Sequence, residues 1–298
     1  MTGSRGFIGS EIGRYAAAAG HVVLGVSRAS QPGPGWPGGH RCLDVVDADL
    51  VPVIDDFRPD AIVHAAGPAS VSDSFVAPAA SFRAAALGWT NVLESLRRSG
   101  SPTRAVLLSS AAVYGQPAVL PVPEDAPCRP LSPYGYSKLV CELLAEQYLR
   151  CFSVDAVVCR LFSVVGPAQR RLLAWEVFRQ LADPALDVVV LRGTAASVRD
   201  YLHVGDAAEA IVALCHAVDP PTRVNVASGR GATVGEVVTT LRALTESVKD
   251  CTFLMEPGPG DPDMWQAEVS TLRRALGRWQ PRELHEALAD CVAHWSNL

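Results

Sequence analysis

Lysine is almost absent from this chain. Its 298 residues include 26 basic side chains, and the only lysines are Lys138 and Lys249. Arginine carries the rest of the positive charge, so a retained lysine marks a position where a compact, tunable ammonium is wanted. There is no basic excess for nucleic acid, because 31 acidic residues leave a formal net charge of −5. No apolar run reaches the ~18 residues of a membrane span. The first residues show no charged stretch leading into an apolar one, and a cytoplasmic location is expected. Cys42, Cys128, Cys141, Cys151, Cys159, Cys215, Cys251 and Cys291 form no CxxC pair. Several lie in apolar runs, so they read as small core residues, not as a disulfide framework. The histidines have no HxxxH or HExxH spacing, and no metal site is expected. What remains is an ordinary packed composition, 49% apolar and 19% charged, long enough for one large domain or two linked ones.

The apolar runs His21–Val26, Ala61–Ala65, Ala105–Ser109 and Val154–Leu161 are continuous and rich in Val and Leu. Such runs form strands buried on both faces. Helical patterns over Gly6–Ala19, Pro78–Arg98 and Tyr134–Cys151 alternate with them. This alternation predicts a doubly wound parallel α/β sheet. Segments 29–41, 116–133 and 256–263 are rich in Pro or Gly and read as loops. Beyond Gly166 the pattern loosens, with helices expected at Leu172–Ala182, Asp206–Ala217, Thr233–Glu246 and Pro281–Trp295, and an extended run at Asp187–Leu191. Two regions are expected: residues 1–165 as a dinucleotide-binding unit, and 166–298 as a smaller substrate-binding region with some elements returning to the first. Trp265, Trp279 and Trp295 are expected to fill a small core in the second region.

Residues 2–9 read TGSRGFIG. Gly3, Gly6 and Gly9 have GxxGxxG spacing where a helix opens, with Arg5, Phe7 and Ile8 among them. Glycines allow a tight turn and close approach to a pyrophosphate, and the helix N-terminus favours its charge. Such a turn follows a strand, so further apolar residues are expected upstream of Met1. The second strand ends in Ser27–Arg28 with no acid, which favours the 2′-phosphate of NADP over NAD, though NAD remains open. Asp44 and Val45 are placed to meet the adenine edge, with an ordinary loop cap as the alternative for Asp44.

Tyr134 and Lys138 form YxxxK at the start of a helix, so they share one face. A free phenol, with a pKa near 10, is a poor proton carrier at neutral pH. A cation one turn away favours the phenolate and equips the tyrosine as a general acid or base. Upstream, a strand ends in Ser109–Ser110, where open α/β sheets bind ligands. Strand three ends in His64–Ala65–Ala66–Gly67, small enough for a cofactor to lie close.

The segments TGSRGFIG, HAAG, SSAAVYG, PYGYSK, RLFSVVGP and RDYLHVGDAAEA resemble, in this order, the extended short-chain dehydrogenase/reductases of the NAD-dependent epimerase/dehydratase family. The resemblance implies a Rossmann-type sheet, action on a nucleotide sugar and a Tyr134–Lys138–Ser110 triad. It implies a cofactor held by Gly3, Gly6, Gly9, Ala65, Ala66, Gly67 and Ser109. It places Ser70, Ser163, Arg199 and Tyr201 with the substrate, and pairs the helices near 78–98 and 134–151 with a second subunit.

Departures narrow the reaction. Ala111 and Ala112 stand where sugar 4,6-dehydratases carry Asp–Glu, which disfavours dehydration. Ser163, Ala85 and Gly88–Trp89 replace residues usual in the family, and an arginine expected before Gly260–Asp261 is replaced. Arg170, Arg192 or Arg199 could hold the diphosphate instead. Reduction of a 4-keto sugar nucleotide is the first reading and a nucleotide-sugar epimerase the second. A non-catalytic dinucleotide-binding sensor is the alternative of another class. His203 reads as a buried, hydrogen-bonded residue at a strand end, and Tyr114 as either core or pocket lining.

Overall fold

The computed structural model describes residues 1–254, 260 and 262–298. Its first half alternates strands β1 (Leu24–Ser27), β2 (Gly39–Cys42), β3 (Ala61–His64), β4 (Arg104–Ser110) and β5 (Ala156–Leu161) with helices. Those helices are α1 (Phe7–Ala18), α2 (Val51–Phe57), α3 (Val71–Val76), α4 (Pro78–Phe82), α5 (Gly88–Ser99) and α6 (Pro133–Phe152). The apolar runs form strands because both faces are covered. In β5, Val157, Cys159 and Leu161 join a cluster with Ile12 and Ile211. Ala156 and Val158 join Leu50, Trp89 and Cys141 on the other face. This is the two-residue alternation of a strand packed between helix layers.

The second half adds β6 (Ser163–Val165), β7 (Val188–Leu191), β8 (Val198–His203), β9 (Arg223–Val226), β10 (Gly231–Thr233) and β11 (Asp250–Phe253). Its helices are α7 (Leu172–Ala182), α8 (Val204–His216), α9 (Val234–Leu244), α10 (Ser270–Leu276) and α11 (Leu284–Trp295). In the main sheet β3, β4, β5 and β9 pair in parallel, and β1 pairs in parallel with β2. Thr2 joins the two blocks by bridging Val26 and His64. This is a Rossmann-like, doubly wound parallel architecture. Helices α1 and α8 cover one face, while α2, α5 and α6 cover the other. The rest of the second half forms the sheets β10–β8–β6 and β11–β7. A third core, containing Phe178, Leu241, Leu288 and Trp295, lies beside them.

Several expectations need correction. Gly39–Cys42 is a strand, although segment 29–41 reads as loop; its side chains are largely exposed, which hides the burial pattern. The helix expected over Pro78–Arg98 is interrupted by a π turn at Arg83–Leu87. The strand expected from His21 begins at Leu24. Trp279 belongs to the main core, not to the C-terminal one. Cys42 and Cys151 are exposed, whereas Cys141, Cys159, Cys215 and Cys291 are buried as core residues. The loop expected at 256–263 falls largely outside the described residues.

Candidate active site

Two close approaches build the site at the C-terminal ends of β3 and β4. Gly3 has φ +71°, a left-handed conformation that favours glycine, and a Cβ there would fall 2.6 Å from the backbone of Ala65 and Ala66. The turn after Thr2 therefore lies directly against the end of β3. Gly6 opens α1 with no side-chain cap, leaving the first N–H groups of a twelve-residue helix available to an anion. The hydroxyl of Ser4 is buried beside this turn without a protein partner. These features fit a dinucleotide pyrophosphate that lies close against Gly3 and Gly6 and is held by the backbone N–H groups of Phe7 and Ile8. Arg5 lies across the opening, donating to the carbonyls of Gln31 and Pro32.

The second close approach joins α6 to β4. A Cβ on Gly135 would fall 2.6 Å from the carbonyl oxygen of Ala112. Helix α6 starts cleanly here: Ser132 accepts the Gly135 N–H at its N-terminus and Pro133 occupies its first turn. Tyr134 thus stands beside the turn Ala111–Val113 that follows Ser110. The Oγ of Ser110 accepts the Ala112 N–H at 3.2 Å, which leaves its own O–H free to donate outward. Lys138 is 8% exposed. Its Nζ donates to the Leu108 carbonyl at 2.8 Å and sits 5.7 Å from the centre of the Tyr134 ring. Tyr134, Lys138 and Ser110 are therefore gathered in one place.

The remaining expected residues divide among core, loop-cap and exposed positions. Along β4, Val106 and Leu108 face the α1–α8 layer, while Ala105 and Leu107 face α6. Ser109 follows the second set, and its hydroxyl donates to Glu142 at 2.6 Å. That hydroxyl is committed to the core, not to a cofactor. The Val45 side chain packs in the core with Leu50 and Trp89, and Asp44 accepts the Val46 N–H, making the loop cap. Arg28 is exposed just past the end of β1. Ser70 caps α3 by accepting the Asp73 N–H. Ser163 pairs with Tyr201 in register between β6 and β8, and Tyr201 packs in the third core. Arg199 lies over the Trp265 ring and donates to the carbonyl of Val198. Tyr114 is buried, its hydroxyl donating to Asn225 at 2.6 Å, and burial pushes its pKa up to about 12. It is a core residue. His203 is buried and bonded to Asp290 at 3.0 Å, as its strand-end position implies.

Sequence reasoning missed the group that anchors α6. Glu142 continues the Tyr134, Lys138 face by one more turn and is fully buried against Arg160 of β5, with a 2.6 Å ion pair. Arg160 also donates to the Glu124 carbonyl and lies over the Tyr114 ring. The i, i+4, i+8 spacing of Tyr134, Lys138 and Glu142 was the available signal. A second omission is Trp36. Its ring fills the space that side chains at Gly13 and Gly25 would need, and its indole donates to the Gly39 carbonyl.

Residues 1–227 match the NAD dependent epimerase/dehydratase family. The chain is 33% identical to a UDP-glucose 4-epimerase of Azospirillum brasilense, over 98% of this chain and 89% of that protein. It is 29% identical to a GDP-6-deoxy-D-mannose reductase of Pseudomonas aeruginosa, over 100% of this chain and 96% of that protein. The solved UDP-glucose 4-epimerase of Thermus thermophilus, in complex with NAD, superposes with a TM-score of 0.87 at 28% identity, covering 99% of this chain and 97% of that one.

Proposed function

Because the chain belongs to the NAD-dependent epimerase/dehydratase family, we propose that it carries out nicotinamide-dependent redox chemistry on a nucleotide-activated sugar, with Tyr134 as the proton-transfer residue. The observation that carries this reading is the convergence of Tyr134, Lys138 and Ser110 at the ends of β4 and α6. A bound nicotinamide dinucleotide supplies or accepts the hydride. Tyr134 gives a proton to, or takes one from, the sugar oxygen. Ser110 donates a hydrogen bond to that same oxygen. Lys138, fixed against the Leu108 carbonyl, places a positive charge beside the tyrosine ring.

The finer reading is reduction of a 4-keto sugar nucleotide with NADPH. It rests on Arg28 at the end of β1, with no acid beside it to engage a ribose 2′-hydroxyl. A second reading, redox-neutral epimerisation with NAD, is favoured by the epimerase relatives. Steady-state assays separate them: the reductase consumes NADPH stoichiometrically with a 4-keto nucleotide sugar, whereas the epimerase interconverts UDP-hexoses with no net cofactor use. In either case Tyr134→Phe lowers kcat by about 10²–10⁴-fold while leaving cofactor binding intact. Unchanged turnover in that variant would remove Tyr134 as the proton-transfer residue, and no turnover by the wild type in either assay would leave a dinucleotide-binding sensor.

A homodimer through the helices near 78–98 and 134–151 goes with this reading. Phe82, Leu87, Tyr136 and Leu143 are large apolar side chains exposed on these segments, a combination that marks association surfaces. Sedimentation of the wild type at twice the monomer mass, and of Leu143→Glu at the monomer mass, is the expected outcome.

A further inference from the structure

The first turn of α6 satisfies its N–H groups by two different means. Pro133 has none to offer. The Gly135 N–H donates to the Ser132 hydroxyl and the Tyr136 N–H to the Ser132 carbonyl, so both bonds are local to the helix start. The Tyr134 N–H goes elsewhere. It donates at 3.1 Å to Oγ of Ser74 in α3, 60 residues earlier in the chain. Among the described residues, this is the one bond closing the helix start that comes from another element. It falls on the residue read as the proton carrier.

Ser74 suits this contact. It is fully buried. Its own O–H donates to the Val71 carbonyl at 2.6 Å, which fixes the hydroxyl rotor and leaves a lone pair for Tyr134. A hydroxyl that donates in this way is polarised into a better acceptor. Helix α3 is held in turn. Ser70 accepts the Asp73 N–H at its start, and the Asp73 carbonyl accepts the Ala77 N–H at its end. On the other side of α6, the close approach of Gly135 to the Ala112 carbonyl leaves no room for the helix start to move toward β4. Tyr134 is thus clamped between α3 and the turn that follows Ser110.

We propose that Ser74 is a positioning residue for proton transfer. Through the Tyr134 backbone it sets the distance from the tyrosine hydroxyl to the sugar oxygen that Ser110 holds. This rests on the reading of Tyr134 as the proton-transfer residue. Ser74 acts through the helix start, not on the reacting atoms. Without its hydroxyl the Tyr134 N–H loses its partner, and the first turn tilts to find another. The phenol moves with that turn, and a misplacement of about 1 Å can cost about a hundredfold in rate.

The test compares the wild type with Ser74→Ala, Ser74→Cys and Thr233→Ala. Ser74→Cys keeps the volume with a weaker acceptor. Thr233→Ala removes a cap of similar kind from α9, which packs in the third core. The readouts are hydrogen exchange at the Tyr134 amide, kcat with its solvent deuterium isotope effect, and cofactor Kd. Ser74→Ala should speed Tyr134 exchange by about tenfold or more, lower kcat by about tenfold and enlarge the isotope effect, at unchanged Kd. Ser74→Cys should fall between it and the wild type, and carries the test if Ser74→Ala does not fold. Thr233→Ala should lower Tm and leave kcat alone. Faster Tyr134 exchange in Ser74→Ala with a wild-type kcat overturns the proposal and leaves Ser74 a helix cap only. An equal loss of kcat in Thr233→Ala also overturns it. A wild type that turns over neither a 4-keto nucleotide sugar nor a UDP-hexose strikes the functional reading itself, a result told apart by Tyr134 exchange that still depends on Ser74.

Discussion

Glu142 and Arg160 illustrate how single residues anchor the helix that carries Tyr134 and Lys138. Each side chain is 1% exposed, Arg160 donates to both carboxylate oxygens, and the Ser109 hydroxyl adds a further bond. Losing one partner strands a buried charge, whereas replacing both by apolar groups of similar volume does not. Glu142→Ala should therefore cost about 3–5 kcal/mol, a fall of roughly 5–8 °C in Tm. The double variant Glu142→Leu/Arg160→Met should recover most of that loss, and equal melting of single and double variants would contradict the account. Ser109 and Ser110 teach the same lesson one position apart. Neighbouring strand residues face opposite ways, so one hydroxyl is consumed in the core and the other stands at the strand end.

At the scale of elements, the site depends on how closely the turn after Thr2 and the start of α6 approach the strand ends. A side chain at Gly3 meets both the backbone of Ala65 and Ala66 and a left-handed φ. Gly3→Ala should push the turn away from β3 and abolish the cofactor-induced rise in Tm. In the wild type that rise corresponds to about 2.7 kcal/mol at a hundredfold excess over Kd. Most of these elements are legible in the sequence, because a doubly covered strand is a continuous apolar run and a YxxxK face has helical spacing. β2 is not, since an edge strand with exposed side chains has no apolar run. The π turn at Arg83–Leu87 leaves no trace for the same kind of reason: it depends on packing against neighbours, not on residue type.

Across the whole molecule, burial makes stability depend on pH through His64. It is 2% exposed at the end of β3, its Nδ1 within 2.9 Å of the Thr2 hydroxyl. Burial, aided by the charge of Lys138, lowers its pKa to about 3. The unfolded chain then binds a proton below about pH 6.5 that the folded chain does not. Stability is therefore present in full above that pH and declines as the pH falls from 6.5 toward 3. Urea midpoints measured from pH 8 to pH 4 should fall along this course, and His64→Asn should flatten the decline. A decline of the same slope in the variant would place its origin in other groups.

The sequence by itself determined the parallel α/β class, the glycine turn, and the Tyr134–Lys138 face with Ser110 at a strand end. It could do so because each is a local matter of spacing or backbone freedom. Tertiary structure alone decided that Ser109 serves Glu142, that Tyr114 is core, that Val45 packs inward and that Trp36 fills the space over Gly13 and Gly25. Those assignments follow from which face of an element meets which neighbour across tens of intervening residues. Local spacing carries no record of such contacts, because they form only when distant segments close into one core.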